Sequence, residues 1–212
     1  MFKIYKNFLE HKQAWDLACS IDGTPPHWWA HVIKHKDLEK PLYTYDNVGG
    51  NRHRFLLDSK LYSSLQKDSF TYKFHRTTKH GQACKCWECT FRDEVLLSDS
   101  FKDLLKKETN LKNPELLEYF TSAYHPGDFL GQHTDHQRGV AFIFHLSWDW
   151  KAEYGGLFHL ETETGFDAYV PGWGDLVLME LGDTGQNHFV SEVSRLSPRP
   201  RLAISGWFNE NS

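Results

Sequence analysis

From about Phe120 onward the sequence is cut into short strand-like runs by turn-forming residues, and this punctuation constrains the fold more than any other feature. The runs are TSAYH, FLGQHTD, GVAFIFHLS, LFHLE, FDAYV, DLVLMEL, NHFVSEV and RLAISGWF. Turn signals such as Pro126-Gly127-Asp128, Gly155-Gly156 and Pro171-Gly172 stand between them. Strands recurring at intervals of roughly 8–12 residues indicate a sandwich or barrel, since each run is long enough to cross a sheet once before it must turn.

The upstream part has a different texture. Asn7 followed by FLEHKQAWDLACS reads as a capped helix with Phe8, Leu9, Trp15 and Leu17 among its apolar positions. Residues 22–55 are rich in Gly, Pro, His and aromatics and read as long loops, and residues 69–75 alternate like a strand. Residues 98–120 read as one or two helices, with Ser98 as a cap and Asn113-Pro114 as a break that starts a new helix. The expected architecture is mainly β with an N-terminal α layer, an α+β chain. Residues 1–118 form the helical and loop layer, packed as one unit on a double-stranded β-helix, or jelly roll, over residues 119–212.

Composition removes several function classes. No run of 18 apolar residues occurs in the 212, so no membrane span is expected. Four cysteines are too few for a disulfide framework, and MFKIYKNFLEHK lacks the apolar run of a secretory signal, so a reducing, cytoplasmic setting is expected. The net charge of −4 is unevenly spread: residues 52–92 carry nine Lys/Arg against three Asp/Glu, and residues 111–212 carry six against fourteen. Overall acidity argues against a bulk nucleic-acid binder. The basic segment is either a solvated face or a lip that receives an acidic substrate.

His-x-Asp on a strand is a natural chelate, because residues i and i+2 share a face and bring an imidazole and a carboxylate to one ion. Two such triplets occur, His35-Lys36-Asp37 in a Lys-rich stretch and His133-Thr134-Asp135 at the end of FLGQHTD. The second lies among the strand runs and is the better candidate. A third ligand must come from another strand. His188 opens NHFVSEV, 53 residues past Asp135, and is preferred over His159, a mid-strand histidine in LFHLE. Two histidines and one carboxylate form the facial triad of non-haem Fe(II) oxygenases, although zinc accepts the same donors. Farther on, Arg201 and Ser205 stand four apart and share one strand face, a fork and a hydroxyl suited to a carboxylate. Arg199, in the same Pro-rich turn, is the competing arginine.

Together Tyr124, His133/Asp135, Leu146, Gly155-Gly156, Pro171-Gly-Trp-Gly-Asp-Leu, His188 and the closing Arg-x-Ala-Ile-Ser-x-Trp-Phe resemble the prolyl-4-hydroxylase-like branch of the Fe(II)/2-oxoglutarate dioxygenases over residues 119–208. The resemblance implies a double-stranded β-helix, with Fe(II), 2-oxoglutarate and dioxygen, and ascorbate as an accessory candidate. It also implies iron held by His133, Asp135 and His188, and 2-oxoglutarate held by Arg201, Ser205 and Tyr124. His145 stands where relatives commonly place a tyrosine for the distal carboxylate, so it is either a replacement donor or a core histidine. The implied reaction is hydroxylation of an amino-acid or peptidyl C–H bond, with release of succinate and carbon dioxide. The expected partner is a small-molecule, peptide or protein substrate. Two alternatives stay open: a nucleic-acid demethylase using the same cofactors, and a catalytically silent jelly-roll binding module. No Arg follows Arg201, whereas nucleic-acid dealkylases carry further C-terminal arginines.

Trp28, Trp29, Tyr62, Tyr72, Phe74 and Trp87 are candidates to line a substrate mouth, with Arg52, Arg54 or Arg76 pairing an acidic group. Trp148 and Trp150 belong either to that mouth or to a packed corner. Cys84, Cys86 and Cys89, with His80 upstream, are either loop thiols or zinc ligands.

Overall fold

The eight runs read from the sequence are eight strands. In chain order they are β5 (Pro114–Tyr124), β6 (Phe129–His133), β7 (Val140–His145), β8 (Phe158–Thr162), β9 (Gly165–Tyr169), β10 (Leu176–Glu180), β11 (His188–Val190) and β12 (Arg201–Glu210). Among the described residues β1 (Phe2–Tyr5), β2 (Trp29–His35), β3 (Leu38–Tyr43) and β4 (Tyr72–Thr77) precede them. The helices whose bounds lie within the described residues are α1 (His11–Asp22), α2 (Trp87–Phe91, continued by a π-turn to Leu96) and α3 (Asp99–Glu108). The computed structural model describes residues 2–35, 38–43, 61, 63, 66–67, 70–78, 84–182 and 185–211. Arg52, Arg54, Tyr62, His80, Lys36 and Asp37 lie outside the described residues.

The strands form one antiparallel sheet in the order β1-β10-β7-β12-β5-β4-β6-β11-β8-β9, with β2 on β4 and β3 on β2. Strand β4 is the seam of the curl. Its C-terminal half pairs with β5 (Arg76↔Ser122), and its N-terminal half pairs with β6 (Tyr72↔Leu130). The sheet is thus curled into a jelly roll, with β10-β7-β12-β5 forming one wall and β6-β11-β8 the other. Both walls contribute side chains to one cavity.

Alternation along β12 separates two interiors. Ile204 and Phe208 point outward into a core with Phe142, Phe144, Leu176 and Leu178, covered by Phe101 and Leu105 of α3 and Ala14 of α1. Arg201, Ser205 and Trp207 point the other way, into the cavity. Burying each large apolar side chain in the outer core contributes about 1.5–3 kcal/mol. That core therefore clamps β12 and fixes where its cavity face points. At Gly206 an added Cβ would lie 2.2 Å from the Glu118 carbonyl oxygen and 2.6 Å from Phe142, so the β12–β5–β7 contact admits no side chain there. Among the described residues no helix is long and apolar enough to cross a membrane.

The upstream reading needs correction at three places. Within the supposed loops of 22–55, Trp29–His35 and Leu38–Tyr43 are paired strands. The alternation that buries Ala30 and Val32 is short and flanked by Pro and Gly, which masked it. Pro114 opens β5, not a helix, because a proline without an N–H is tolerated at a strand's first residue. Residues 114–124 pair with nearly all of β12. Asn7 does not cap α1. It sits at φ 50° in a turn and donates its backbone N–H to Asp175 Oδ1, while Glu10 precedes the helix with no side-chain cap bond. Ser98 does cap α3, accepting from the Phe101 N–H.

Candidate active site

His133 closes β6 and His188 opens β11, and the two are directly opposed in the antiparallel register. Their rings therefore meet, with centroids 4.2 Å apart. Asp135 lies two residues beyond the strand end, so a turn, not the strand pleat, brings its carboxylate to the imidazoles. His133 Nε2 is 3.7 Å from Asp135 Oδ1, and His188 Nε2 is 3.7 Å from Asp135 Oδ2. One ligand atom from each residue lies within 4.8 Å of the other two.

The surrounding bonds aim these atoms. His133 Nδ1 lies 2.9 Å from the Gly131 carbonyl oxygen, and His188 Nδ1 lies 2.7 Å from that of Gln186. A carbonyl only accepts, so each Nδ1 carries the proton and each Nε2 presents its lone pair to the centre. Burial pushes the His133 pKa down to about 4 and also lowers that of His188. Both rings are accordingly neutral near pH 7 and ready to bind a cation. Trp207 Nε1 donates to Asp135 Oδ2 at 2.8 Å and orients the carboxylate across a separation of 72 residues. Trp207→Phe should therefore weaken Fe(II) retention about 10–100-fold, the usual effect of losing such a supporting bond, as read by equilibrium dialysis. Unchanged retention would remove Trp207 from this role.

The three residues line a cavity of about 300 Å³, which Arg201, Ser205 and Tyr124 also line. Arg201 is only 2% exposed, and its guanidinium lies 5.1 Å over the Tyr124 ring, opposite which it stands in the β12–β5 register. No carboxylate among the described residues pairs with it, and its Nε has no acceptor. Burial lowers its pKa, the direction expected for a cation stripped of water without a counter-ion. Leaving an ion so placed costs several kcal/mol unless an anion completes the site. Gly156, at φ 61°, packs against this side chain, and a Cβ there would come 3.0 Å from Arg201 Cδ.

His145 is fully buried and stands opposite Ala203. It is not among the cavity-lining residues. It packs against Tyr169 with ring centroids 5.3 Å apart, and neither ring nitrogen has a hydrogen-bond partner. Burial, and then Arg201 and Lys6, push its pKa well below the usual histidine value. His145 is thus a neutral residue behind Arg201.

Of the other sequence candidates, Tyr72, Phe74 and Arg76 line the cavity. Trp87 donates instead to Thr24 Oγ1 and, with Trp29, packs against the outer core. Trp150 is a packed corner, donating to the Gly155 carbonyl. Trp148 joins Trp173, Trp15 and His11 in an aromatic cluster away from the cavity. His159 stacks on Phe189, pointing opposite to His188 along the same strand pair. Arg199 is exposed.

Three mouth residues escaped the sequence reading. Phe70 stacks on His133 with centroids 4.6 Å apart, Lys34 Nζ lies 4.5 Å over Phe70, and Arg138 lies 3.6 Å over Trp207. Only the position of Arg138, three residues after Asp135, was a usable signal. A second histidine–carboxylate group also went unnoticed. His31, His75 and Asp128 converge within 4.8 Å. His75 alternates with the cavity residues Phe74 and Arg76, which puts this group behind β4 and outside the cavity lining.

Residues 119–209 match the model of the 2OG-Fe(II) oxygenase superfamily. No curated protein matches the chain. Among solved structures, an oxidoreductase of the 2OG-Fe(II) oxygenase family from Burkholderia pseudomallei superposes with TM-score 0.65 at 9% identity, over 100% of this chain and 86% of that one. A prolyl hydroxylase from Trichoplax adhaerens, in complex with a hypoxia inducible factor oxygen degradation domain peptide fragment, gives 0.63 at 18% identity, over 99% and 83%. A Pseudomonas putida prolyl-4-hydroxylase gives 0.56 at 15% identity, over 99% and 92%. The fold is therefore the double-stranded β-helix of these enzymes, and residues 119–209 form a 2OG-Fe(II) oxygenase domain of prolyl-4-hydroxylase-like build. Over that segment the family model is that of a 2OG-Fe(II) oxygenase, whose cofactor set is Fe(II), 2-oxoglutarate and dioxygen, and the His133–Asp135–His188 cluster lies within it.

Proposed function

We propose that the enzyme hydroxylates a C–H bond of an amino-acid or peptidyl substrate, a prolyl residue being the leading case, with an acidic group near the reacting carbon. The observation that carries the site assignment is the buried Arg201 guanidinium, without a carboxylate partner among the described residues, in the same cavity as His133, Asp135 and His188. A dicarboxylate co-substrate supplies the missing anion at one end and metal-chelating oxygens at the other.

In this reading His133 Nε2, His188 Nε2 and an Asp135 oxygen hold Fe(II). The donor set fits, being two neutral imidazoles and one carboxylate with no protein cation among them. Bound iron supplies the dioxygen chemistry that couples decarboxylation of 2-oxoglutarate to substrate hydroxylation. The chain's own groups do the rest. Arg201 and Ser205 anchor the distal carboxylate, and Tyr124 packs under the guanidinium. Phe70 and Phe120 exclude water from the mouth. Asp135 occupies the position that halogenating relatives leave to chloride, which favours hydroxylation.

The mouth suggests the substrate. Arg76 lies 5.6 Å over Phe120, and Lys34 and Arg138 stand on the same rim. Arg138 is paired with Glu118 at 3.9 Å, and Lys34 and Arg76 over aromatic faces suit a carboxylate-bearing amino acid or a peptide with acidic neighbours. The relative from Trichoplax adhaerens is described with a peptide fragment, which fits a peptidyl substrate. The test is succinate release over free amino acids, prolyl peptides with and without acidic flanks, and a methylated oligonucleotide. Acidic peptides or amino acids should be turned over best. Arg76→Glu should reduce their turnover severalfold while leaving substrate-free 2-oxoglutarate decarboxylation intact. Turnover of the oligonucleotide alone would replace this substrate reading with demethylation.

A further inference from the structure

Three of the chain's four cysteines fall within six residues, Cys84-Lys-Cys86-Trp-Glu-Cys89. The oxygenase chemistry uses none of them. None of the three is in a disulfide, and their sulfurs lie within 4.8 Å of one another. We propose that Cys84, Cys86 and Cys89 form a structural site for a soft divalent cation, zinc being the expected occupant, which clips the start of α2 to the cavity wall.

Local geometry accounts for the convergence. Cys84 and Cys86 are two apart in the extended segment before α2, so their side chains leave the backbone on one side. Cys86 immediately precedes α2, and Cys89 follows three residues later on the same helical face. In tetrahedral zinc the sulfurs sit about 2.3 Å from the metal and hence about 3.8 Å apart, so the observed spread needs only a small contraction. The ligand type selects the ion: thiolates favour zinc over the hard, oxygen-seeking cations. Three thiolates with a divalent cation leave one negative charge. Lys85 stands within the motif, and Arg92, held bidentately by Asp93, lies close enough to interact with Cys89 as well. The fourth position is left to a water or another donor. Without a metal, burial pushes the Cys89 thiol up to about 12, so it is an inert thiol; a bound zinc would deprotonate it outright.

The segment has a mechanical task that explains the clip. Glu88, between the second and third cysteines, is 2% exposed and turns its carboxylate inward. Glu88 Oε1 accepts from Thr77 Oγ1 of β4 at 2.7 Å, and from the Thr121 N–H and Oγ1 of β5 at 2.8 and 2.5 Å. These strands carry Phe74, Arg76, Phe120 and Ser122 into the cavity. β4 and β5 pair at only two positions, His75↔Ala123 and Arg76↔Ser122, so their junction relies on this cross-tie more than a long ladder would. A metal that fixes the first turn of α2 fixes Glu88, and with it the wall.

Cobalt(II) separates this site from the His/Asp centre, because only a sulfur ligand produces an intense thiolate-to-cobalt charge-transfer band in the near ultraviolet. The full-length protein, with its thiols confirmed reduced by titration, is loaded with Co(II) and scanned. The band should appear in the native chain and in Asp135→Ala, and should be lost in Cys84→Ser. Cys84 is partly exposed, so its serine variant is the one that keeps the fold. Circular dichroism checks this, and Cys86→Ser serves if it does not. Zinc at one equivalent should abolish the band in Asp135→Ala. A band that persists in Cys84→Ser, or no band in the fully reduced native chain, overturns the proposal. Neither result bears on the iron centre.

Discussion

His133→Ala and Asp135→Ala should each abolish the visible charge-transfer absorption that the native enzyme develops with Fe(II) and 2-oxoglutarate in the absence of oxygen. The band requires a 2-oxo acid chelated to iron. Each variant removes one of three donors that already converge within 4.8 Å. Succinate formation should fall with it to the background of free iron. These donors sit at an opposed strand pair and a turn, with both histidine tautomers fixed by backbone carbonyls. No other residue needs to move when one is truncated, so the loss should be local, with the thermal midpoint of the apo-protein little changed. The control is His159→Ala, whose ring stacks on Phe189 away from the cavity, and which should keep the band. An undiminished band in both triad variants, or its loss in His159→Ala alone, would transfer the metal to another set of residues.

Arg201→Met should raise the 2-oxoglutarate requirement roughly ten- to hundredfold. A charge-assisted hydrogen-bonded pair contributes about 1.5–3 kcal/mol, and about 1.4 kcal/mol corresponds to a factor of ten. Methionine retains much of the volume, so packing against Tyr124 and Gly156 is largely kept. The same substitution should leave the apo-protein at least as stable as the native chain, because it removes a buried cation that has no counter-ion among the described residues. Arg199→Met, at an exposed position, should change neither quantity. Equal effects at the two arginines on the apparent KM for 2-oxoglutarate would refute the anchor. A large fall in apo-stability at Arg201 would mean that the guanidinium is paired within the protein instead of waiting for an anion.

Much of this was legible in the chain because the relevant rules are local. Alternation with period two, cut by Pro-Gly and Gly-Gly turns, marked β6 to β12 and the last residues of β5. His133 and Asp135 stood out by their two-residue spacing at a strand end, although a turn beyond the strand, and not the pleat, brings the carboxylate round. Arg201 and Ser205 were recognisable because four residues along a strand return to the same face. The same rules misled at Pro114, where a proline and a leucine pair imitate a helix start, and at Trp29–His35, where the strand is hidden among turn-formers.

What tertiary structure alone decided are the contacts made by residues far apart in sequence. Asp135 is steered by Trp207 from across the barrel. Phe70 and Lys34 reach the mouth beside β4, where it hands the sheet from β5 to β6, and Arg138 reaches it from the β6–β7 turn by stacking on Trp207. His145 sits on the cavity side of β7 yet falls behind Arg201, since depth along a curled sheet is invisible to periodicity. The sequence by itself determined which residues alternate, which turn and which can ligate. Which of them meet was decided by the curl of the sheet and the outer core that clamps it. Pairing partners and depth depend on how whole faces are buried against one another, and no short window of residues carries that information.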